Sequence, residues 1–223
     1  MFAEAGDNRR FYFGGRWGVM GLTPIPDGSV DRSTTSPEYH WTSNTEGNSS
    51  RFGYGPSVGV RFSPRFSVGA DWLFRKFKYT ETTEFYSGSD AADATTVIED
   101  TRARIWDVPV LFHARDLKFL PLRKYTELTL GGTFRNVHSV NSGTTTTLPD
   151  VDDPTTSDIP ARPSHKNVAG ITAGFGFRYV DDYSFKLTPE VRYTYWTAQT
   201  FDRDSIRSPR HQVEVLIGIT FLT

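Results

Sequence analysis

The segment from Asn136 to Gly143 contains the residue types of nucleophilic catalysis, a histidine that could act as a base and serines that could act as nucleophiles. His138 and Ser139 are adjacent in the chain, and adjacent side chains on a strand point to opposite faces. A general base must lie within hydrogen-bonding distance of the group that it deprotonates. The spacing therefore favours the polar start of a loop over a catalytic site.

A second candidate is the acidic run Asp150-Val151-Asp152-Asp153-Pro154, whose carboxylates are the ligand type that calcium prefers. The run lacks the glycine and the distal glutamate of a calcium-binding loop, which favours a solvated acidic loop. The chain has no cysteine, so disulfides, zinc-thiolate sites and thiol nucleophiles are excluded. We expect no metal and no cofactor.

The most regular pattern runs from Arg51 to Phe62 and alternates between apolar and small or polar residues. One parity carries Phe52, Tyr54, Pro56, Val58, Val60 and Phe62, and the other carries Arg51, Gly53, Gly55, Ser57, Gly59 and Arg61. Because successive side chains on a strand point to opposite faces, this strand has one apolar face and one small or polar face.

The same alternation recurs in eight segments, which we interpret as the strands of one domain covering residues 1–223. The predicted strands lie at about 10–22, 51–62, 65–79, 97–114, 125–138, 166–180, 183–196 and 209–222. The connections alternate between long and short, and the four long polar ones are Thr23–Ser50, Thr80–Thr96, Ser139–His165 and Thr197–Ser208. Ten strands result instead if one of the long loops contains another hairpin.

These features predict an all-β fold, a single eight-stranded antiparallel up-and-down transmembrane β-barrel with long extracellular loops and short periplasmic turns. An even strand number puts both termini on the periplasmic side. Mean hydropathy is −0.45, as expected when every second strand residue is polar. Aromatic residues make up 14% of the chain, and Trp17, Trp72, Tyr179, Tyr183 and Tyr195 stand at strand ends where an interfacial girdle would lie.

A soluble ligand-binding barrel also closes with about eight strands, but its apolar face points inward. The polar face of this chain is dominated by glycine, serine and threonine with single charges, whereas a water-exposed outer face carries many lysines and glutamates. Small residues fit the crowded inside of a narrow barrel. The sequence therefore favours the membrane barrel.

Charged residues on the inward parity define the predicted lumen. They are Arg16, Arg61, Asp71, Arg75, Asp107, Glu127, Arg135, Arg178, Lys186, Glu190, Arg192 and Glu214. His113 has the same parity and no evident serine partner. Because an unpaired charge in a partly dehydrated space is costly, we expect these charges to pair. Eight strands leave an interior that side chains can fill, which favours a plugged lumen over a selective passage.

Two features carry a family resemblance: the stretch Ile105-Trp106-Asp107-Val108-Pro109-Val110-Leu111-Phe112, and Gly131-Gly132 in the next strand. In both features the chain resembles the small outer-membrane β-barrel proteins related to the OmpA transmembrane domain, which include porin-family barrels. The resemblance implies a Gram-negative outer membrane, lipid and lipopolysaccharide as surroundings, and insertion by the barrel-insertion machinery. That machinery reads a terminal aromatic residue, and here Phe221 is followed by Leu222 and Thr223. The lipid A deacylases among small barrels show His-x-Ser-Asn, which this chain lacks.

On this basis the sequence predicts a non-enzymatic surface or structural protein with a plugged polar lumen and acidic extracellular loops. The alternatives are a small-solute channel and, as a distant third, a lipid A-modifying enzyme. Net charge −1 and a pI near 6.5 give no indication of nucleic acid. The sequence does not indicate an extracellular partner. Met1 followed by Phe2-Ala3-Glu4-Ala5 lacks a basic and apolar leader, and we expect a mature chain without its export signal.

One outward-facing set of cations could bind phosphate. Parity places Lys76 and Lys78 at the top of the third strand and Arg102 and Arg104 at the top of the fourth. Arginine makes charge-assisted, often bidentate bonds to phosphate. We therefore expect a lipopolysaccharide phosphate contact here, with Arg207 of the last hairpin as a lesser candidate, or else four solvated side chains above the membrane.

Overall fold

The computed structural model describes residues 10–35, 38–88, 93–117, 125–149, 151, 153–158, 162–180 and 185–223. These residues form an all-β, antiparallel structure. The strands are β1 (Phe11–Met20), β2 (Gly28–Thr35), β3 (Glu38–Gly47), β4 (Phe52–Arg61), β5 (Phe66–Asp71), β6 (Leu73–Ser87), β7 (Thr95–Arg115), β8 (Thr126–Thr147), β9 (Thr155–Ser157), β10 (Asn167–Phe177), β11 (Tyr179–Val180), β12 (Phe185–Trp196), β13 (Asp202–Arg203), β14 (Ile206–Arg207) and β15 (His211–Leu222). Across these ranges no helix is long and apolar enough to cross a membrane.

The strand pairings close a ring. β1 pairs with β4 on one side and with β15 on the other, and the ring continues through β5 and β6, then β7, β8, β10 and β12 back to β15. β5 and β6 occupy one place in the ring, because their registers against β4 and against β7 are continuous. The ring therefore has eight places, while the described residues contain further strands outside it.

The interruption between β5 and β6 falls at Trp72, beside two prolines. Pro56 of β4 lies opposite Trp72 and accepts a hydrogen bond from its N–H at 2.9 Å, but has no N–H to donate in return. Pro109 of β7 lies on the other side, opposite Asp71. Proline cannot donate to a ladder, so both flanks of the strand lose a bond here.

All four predicted long loops are partly strand, and the fourth, Thr197–Ser208, contains the short hairpin of β13 and β14. The Thr23–Ser50 segment contains the hairpin of β2 and β3, and β3 pairs with the upper part of β6. The second loop was expected to begin at Thr80 and the third at Ser139, but β6 continues to Ser87 and β8 to Thr147. With β9 on the edge of β8, these segments form a sheet that projects beyond the ring. We call this sheet, made by β2, β3, β9 and the upper parts of β6, β7 and β8, the projecting sheet.

The apolar parity faces outward. The outward positions Val60, Val68, Ile171, Val191 and Ile217 are 40–62% exposed. A Cβ added at Gly59 would clash with the Tyr12 ring, and one at Gly174 would clash with Thr129 and Glu190, so both glycines face the interior. The predicted parity is confirmed, and an inward apolar face as in a soluble ligand-binding barrel is excluded.

The two ends of the described chain meet at one end of the ring. Phe11 and Thr223 exchange backbone hydrogen bonds, and the 2.9 Å bond runs from the Thr223 N–H to the Phe11 carbonyl. Four sequence features lie wholly or partly outside the described residues: the first residues of the chain, the turn at Asp181-Asp182, Tyr183, and the acidic run at Asp150 and Asp152.

Candidate functional site

Four charged side chains form a closed ring of ion pairs in the lumen, which we call the central ring. Arg16 of β1 contacts Asp71 of β5 at 2.9 Å, and Asp71 contacts Arg192 of β12 at 2.7 Å. Arg192 then contacts Glu190 at 2.8 Å, and Glu190 returns to Arg16. All four side chains are at most 5% exposed. Cations and anions alternate, so each charge has two opposite charges beside it.

A lower cluster lies nearer the meeting point of the chain ends and is centred on Glu127. Its carboxylate contacts His113 Nδ1 at 2.7 Å, Arg115 Nε at 2.6 Å and Lys186 Nζ at 3.2 Å. Arg115 also donates a hydrogen bond to the hydroxyl of Ser67 at 2.9 Å. One buried carboxylate on β8 therefore holds side chains from two other strands, β7 and β12.

An upper cluster is centred on Asp107. Arg75 contacts Asp107 at 2.8 Å and also pairs with Glu214. Arg135 bonds both oxygens of Asp107, at 2.7 and 2.8 Å, and donates to Gln212 at 2.7 Å. Its guanidinium also lies 4.0 Å from the ring centre of Trp196, within the range of a cation–π contact.

The structure thus brings together ten of the twelve predicted lumen charges in these three clusters. Arg61 and Arg178 are half-buried at the end of β4 and just after β10. Sequence reasoning missed Arg115, which lies one residue beyond the predicted strand 97–114 although it continues the inward parity of His113. It also missed Ser67, which lies directly opposite His113 in the register.

Apolar side chains cover the charged interior on the side of the projecting sheet. This apolar lid comprises Met20, Ile25, Phe77, Tyr79, Ala103, Ile105, Val137, Phe201 and Ile206, each at most 3% exposed. Ile25 lies in the connection that follows β1, while Phe201 and Ile206 belong to the β13–β14 region. Connecting segments therefore fold over the ring and pack on strand residues.

A polar cluster continues the closure above the lid. Ser43 donates to Glu81 at 2.6 Å, and Ser205 lies 2.8 Å from Ser43 and 2.6 Å from Thr45. These bonds join β3 and β6 of the projecting sheet to the β13–β14 turn. The last hairpin is thereby fixed across the barrel end.

The free space beside the upper cluster is small. A cavity of about 10 Å³ is lined by Asp107, Arg192, Glu214 and neighbouring side chains. That volume accommodates about one water molecule. Among the described residues, no three histidine, cysteine or carboxylate side chains are grouped so that they could hold a metal ion.

The four predicted rim cations lie together on the outer face. Lys76 lies directly opposite Arg104, and Lys78 directly opposite Arg102, on neighbouring strands β6 and β7. Lys76, Arg102 and Arg104 are exposed, and Lys78 is partly exposed. Within the part of the chain that the structure describes, no ion pair joins any of the four to a carboxylate.

These cations line two adjacent grooves. The lower groove, of about 400 Å³, is lined by Lys76 and Arg104 together with aromatic residues of β4, β6 and β7. The upper groove, of about 410 Å³, is lined by all four cations together with Ser139 and Asn141. Arg207, the lesser candidate, lines neither groove; it lies on β14, 3.9 Å from Asp202.

A bulge in β8 corrects the expected placement of Ser139. Arg104 pairs with Ser139 and Ile105 with Val137, so His138 is an extra residue between them. A bulge puts two residues opposite one and breaks strict alternation. His138 is exposed and stacks on Trp106 with ring centres 4.6 Å apart, while Ser139 lines the upper groove. Both residues therefore lie on the outer side instead of on opposite faces.

The solved structures that are weakly similar to this chain include a surface protein and two outer-membrane proteins. Neisserial surface protein A is 12% identical with a TM-score of 0.36, over 96% of this chain and 97% of that one. Outer membrane protein AlkL is 13% identical with a TM-score of 0.35, over 100% and 94%. The outer membrane protease OmpT from Escherichia coli is 11% identical with a TM-score of 0.32, over 100% and 99%. No family model and no curated protein matches the chain.

Proposed function

We propose that this chain is an outer-membrane barrel with a closed lumen, which acts as a non-enzymatic surface scaffold. The observation that carries the proposal is the sequence of layers inside the ring. The lower cluster, the central ring and the upper cluster fill the interior with paired charges, and the apolar lid covers them. The outer surface of the same ring is apolar, which suits lipid.

In this proposal the short connections and both termini face the periplasm, and the projecting sheet faces the outside of the cell. Long loops are extracellular in barrels of this class. The part available to partners is then the projecting sheet with its acidic loops. Family membership with the barrels related to the OmpA transmembrane domain stays a prediction.

Conductance separates the scaffold from the small-solute channel. The purified protein, refolded into planar bilayers, should give no steady single-channel current, because the three charged clusters and the apolar lid fill the interior of the ring formed by the described residues. Steady, selective conductance by the unmodified protein would favour the channel instead.

The lipid-modifying alternative has its own test. Lipid A from cells with and without the protein should have the same mass spectrum if the barrel is a scaffold. His138 stacks on Trp106, an arrangement that suits packing at the outer surface. A change in the acyl chains of lipid A that is lost in His138→Ala would contradict the non-enzymatic proposal.

A further inference from the structure

We propose that the two rim grooves form one binding site for the phosphorylated headgroup of an outer-leaflet glycolipid. This inference rests on the proposed outer-membrane placement. The site comprises the four cations Lys76, Lys78, Arg102 and Arg104 and the aromatic side chains directly below them.

The height of the cations fits the level of lipid headgroups. A transmembrane strand needs about 9–11 residues to cross the hydrocarbon. The nine-residue runs Phe66–Phe74 and Trp106–Ala114 lie side by side in one register, interrupted only at the break between β5 and β6, and both runs carry apolar or aromatic residues on the outer face. The next outward residues are Lys76 and Arg104. The change from apolar to cationic side chains therefore occurs at the same register position on both strands.

The aromatic residues below the cations provide a packed platform. Trp106 lies edge-on to Phe74 with ring centres 5.9 Å apart and edge-on to Trp72 at 5.3 Å. His138 stacks on the opposite side of this group at 4.6 Å. Tryptophan and tyrosine concentrate at the membrane interface, where one part of the ring is in lipid and the polar part is in water. A lipid's sugar and upper acyl chains would contact this platform while its phosphate reaches the cations.

A change of strand partners explains why grooves occur at this point of the wall. β4 pairs with β6 up to Gly53 opposite Arg75, and β3 pairs with β6 from Gly47 opposite Tyr79. Between these ladders the chain crosses over, and Asn48 and Ser49 hydrogen-bond to the backbone of Lys78 at 2.9–3.0 Å. The crossover separates the strands beside Lys76 and leaves room for a ligand.

The charge pattern favours an anion with more than one phosphate oxygen in reach. Arg102 and Arg104 project from one strand and the two lysines from the other, and arginine binds phosphate through a bidentate fork. Acidic side chains lie above this level, where Asp100 and Asp158 line a separate depression together with Arg102. The depression adjoins the upper groove at Arg102, while a phosphate at the level of Lys76 and Arg104 lies two outward positions of β7 below Asp100.

The test compares lipid A binding by the unmodified protein and by Lys76→Gln/Arg104→Gln, which alters both grooves. The matched control is Arg65→Gln/Arg162→Gln, which removes two exposed cations outside both grooves. Diphosphorylated lipid A should bind the rim variant at least about tenfold more weakly, since two charge-assisted bonds are lost. Binding by the control should stay within about twofold, as expected for exposed charges that contact no ligand. Equal binding by all three proteins would overturn the proposal.

Two further arms identify the ligand. Dephosphorylated lipid A should bind the unmodified protein weakly and should not distinguish it from the rim variant. Phosphatidylglycerol offers a phosphate without the glucosamine headgroup and should compete poorly; competition as strong as that of lipid A would overturn the glycolipid assignment.

Folding is checked first for each protein by heat-dependent gel mobility after refolding into vesicles. If the unmodified protein does not insert, the proposed function fails; if it inserts but binds both lipid A forms equally, the site alone fails. Lys78→Gln/Arg102→Gln replaces the first rim variant if that one does not insert, with the same expected loss.

Discussion

Removing one charge from the central ring should destabilise the barrel more than removing an adjacent opposite pair. Asp71→Asn leaves Arg16 and Arg192 with a single anion, Glu190, between them, in a site where the side chains are at most 5% exposed. Breaking a buried pair in this way costs about 3–5 kcal/mol of unfolding free energy, because a charge stays buried without compensation. Arg16→Met leaves an excess of negative charge in the central ring and should also destabilise the barrel.

The double variant Asp71→Asn/Arg16→Met restores the charge balance. Glu190 and Arg192 lie on the same strand and keep their 2.8 Å contact when the Asp71 and Arg16 charges are removed. Its cost should therefore be lower than that of either single variant, so the coupling free energy should exceed about 3 kcal/mol, the upper end of the range seen for residues in one network.

The assay is equilibrium unfolding in urea from lipid vesicles, followed by tryptophan fluorescence. The exposed pair Arg32 and Asp204, 3.1 Å apart with side chains 66% and 39% exposed, serves as the control. Arg32→Gln, Asp204→Asn and their combination should each change the unfolding free energy by less than about 1 kcal/mol. Additive costs in the central ring, equal to the sum of the two single variants, would refute the charge-compensation reasoning.

Three further perturbations test the faces and the lid. Val191→Arg should cost about 2–4 kcal/mol of folding free energy in bilayers, because the residue faces hydrocarbon, and Val191→Ala should cost less. Gly59→Ala should lower the urea midpoint of unfolding, because the added Cβ would meet the Tyr12 ring. Gly132→Ala is the control and should leave the midpoint unchanged, because the nearest atom to its added Cβ is a carbonyl oxygen 3.9 Å away. Equal effects of the two substitutions would contradict the inward placement of Gly59. If the lid packs like a core, Phe201→Ala should lower the unfolding free energy by about 3–5 kcal/mol. Proteolysis of the last hairpin should also be faster in this variant.

The inward set of charges was predictable because a strand has a period of two, which assigns each side chain to a face from its position alone. The pairing of those charges was not predictable in the same way. Arg16 meets Asp71 and Glu190 only because of the stagger between β1, β5 and β12, and stagger is a property of barrel closure. Parity also indicated that Lys76 and Arg104 share the outer face, and the register then placed them opposite each other.

The hairpin of β2 and β3 was anticipated only as an unplaced alternative because, apart from Val30, Tyr39 and Trp41, its strands carry polar residues and glycine. Ser43 and Thr45 of β3 face Ser205 and Glu81 above the lid, so this face of the strand carries hydroxyl groups. A membrane strand would instead alternate between polar and apolar residues. The bulge at His138 was missed because an inserted residue shifts the pattern without a residue type that marks it. Both errors lie beyond the ring's apolar belt, where lipid no longer imposes alternation.

The outward apolar face is the central claim, and labelling of single cysteines tests it most directly. The natural chain has no cysteine, so each introduced thiol reports alone. In detergent-free membranes, Val60→Cys and Ile171→Cys should not react with a water-soluble maleimide, while Thr156→Cys on the projecting sheet should react in intact cells. Free reaction at Val60 and Ile171 would show that the exposed apolar face does not contact lipid, and would contradict the account.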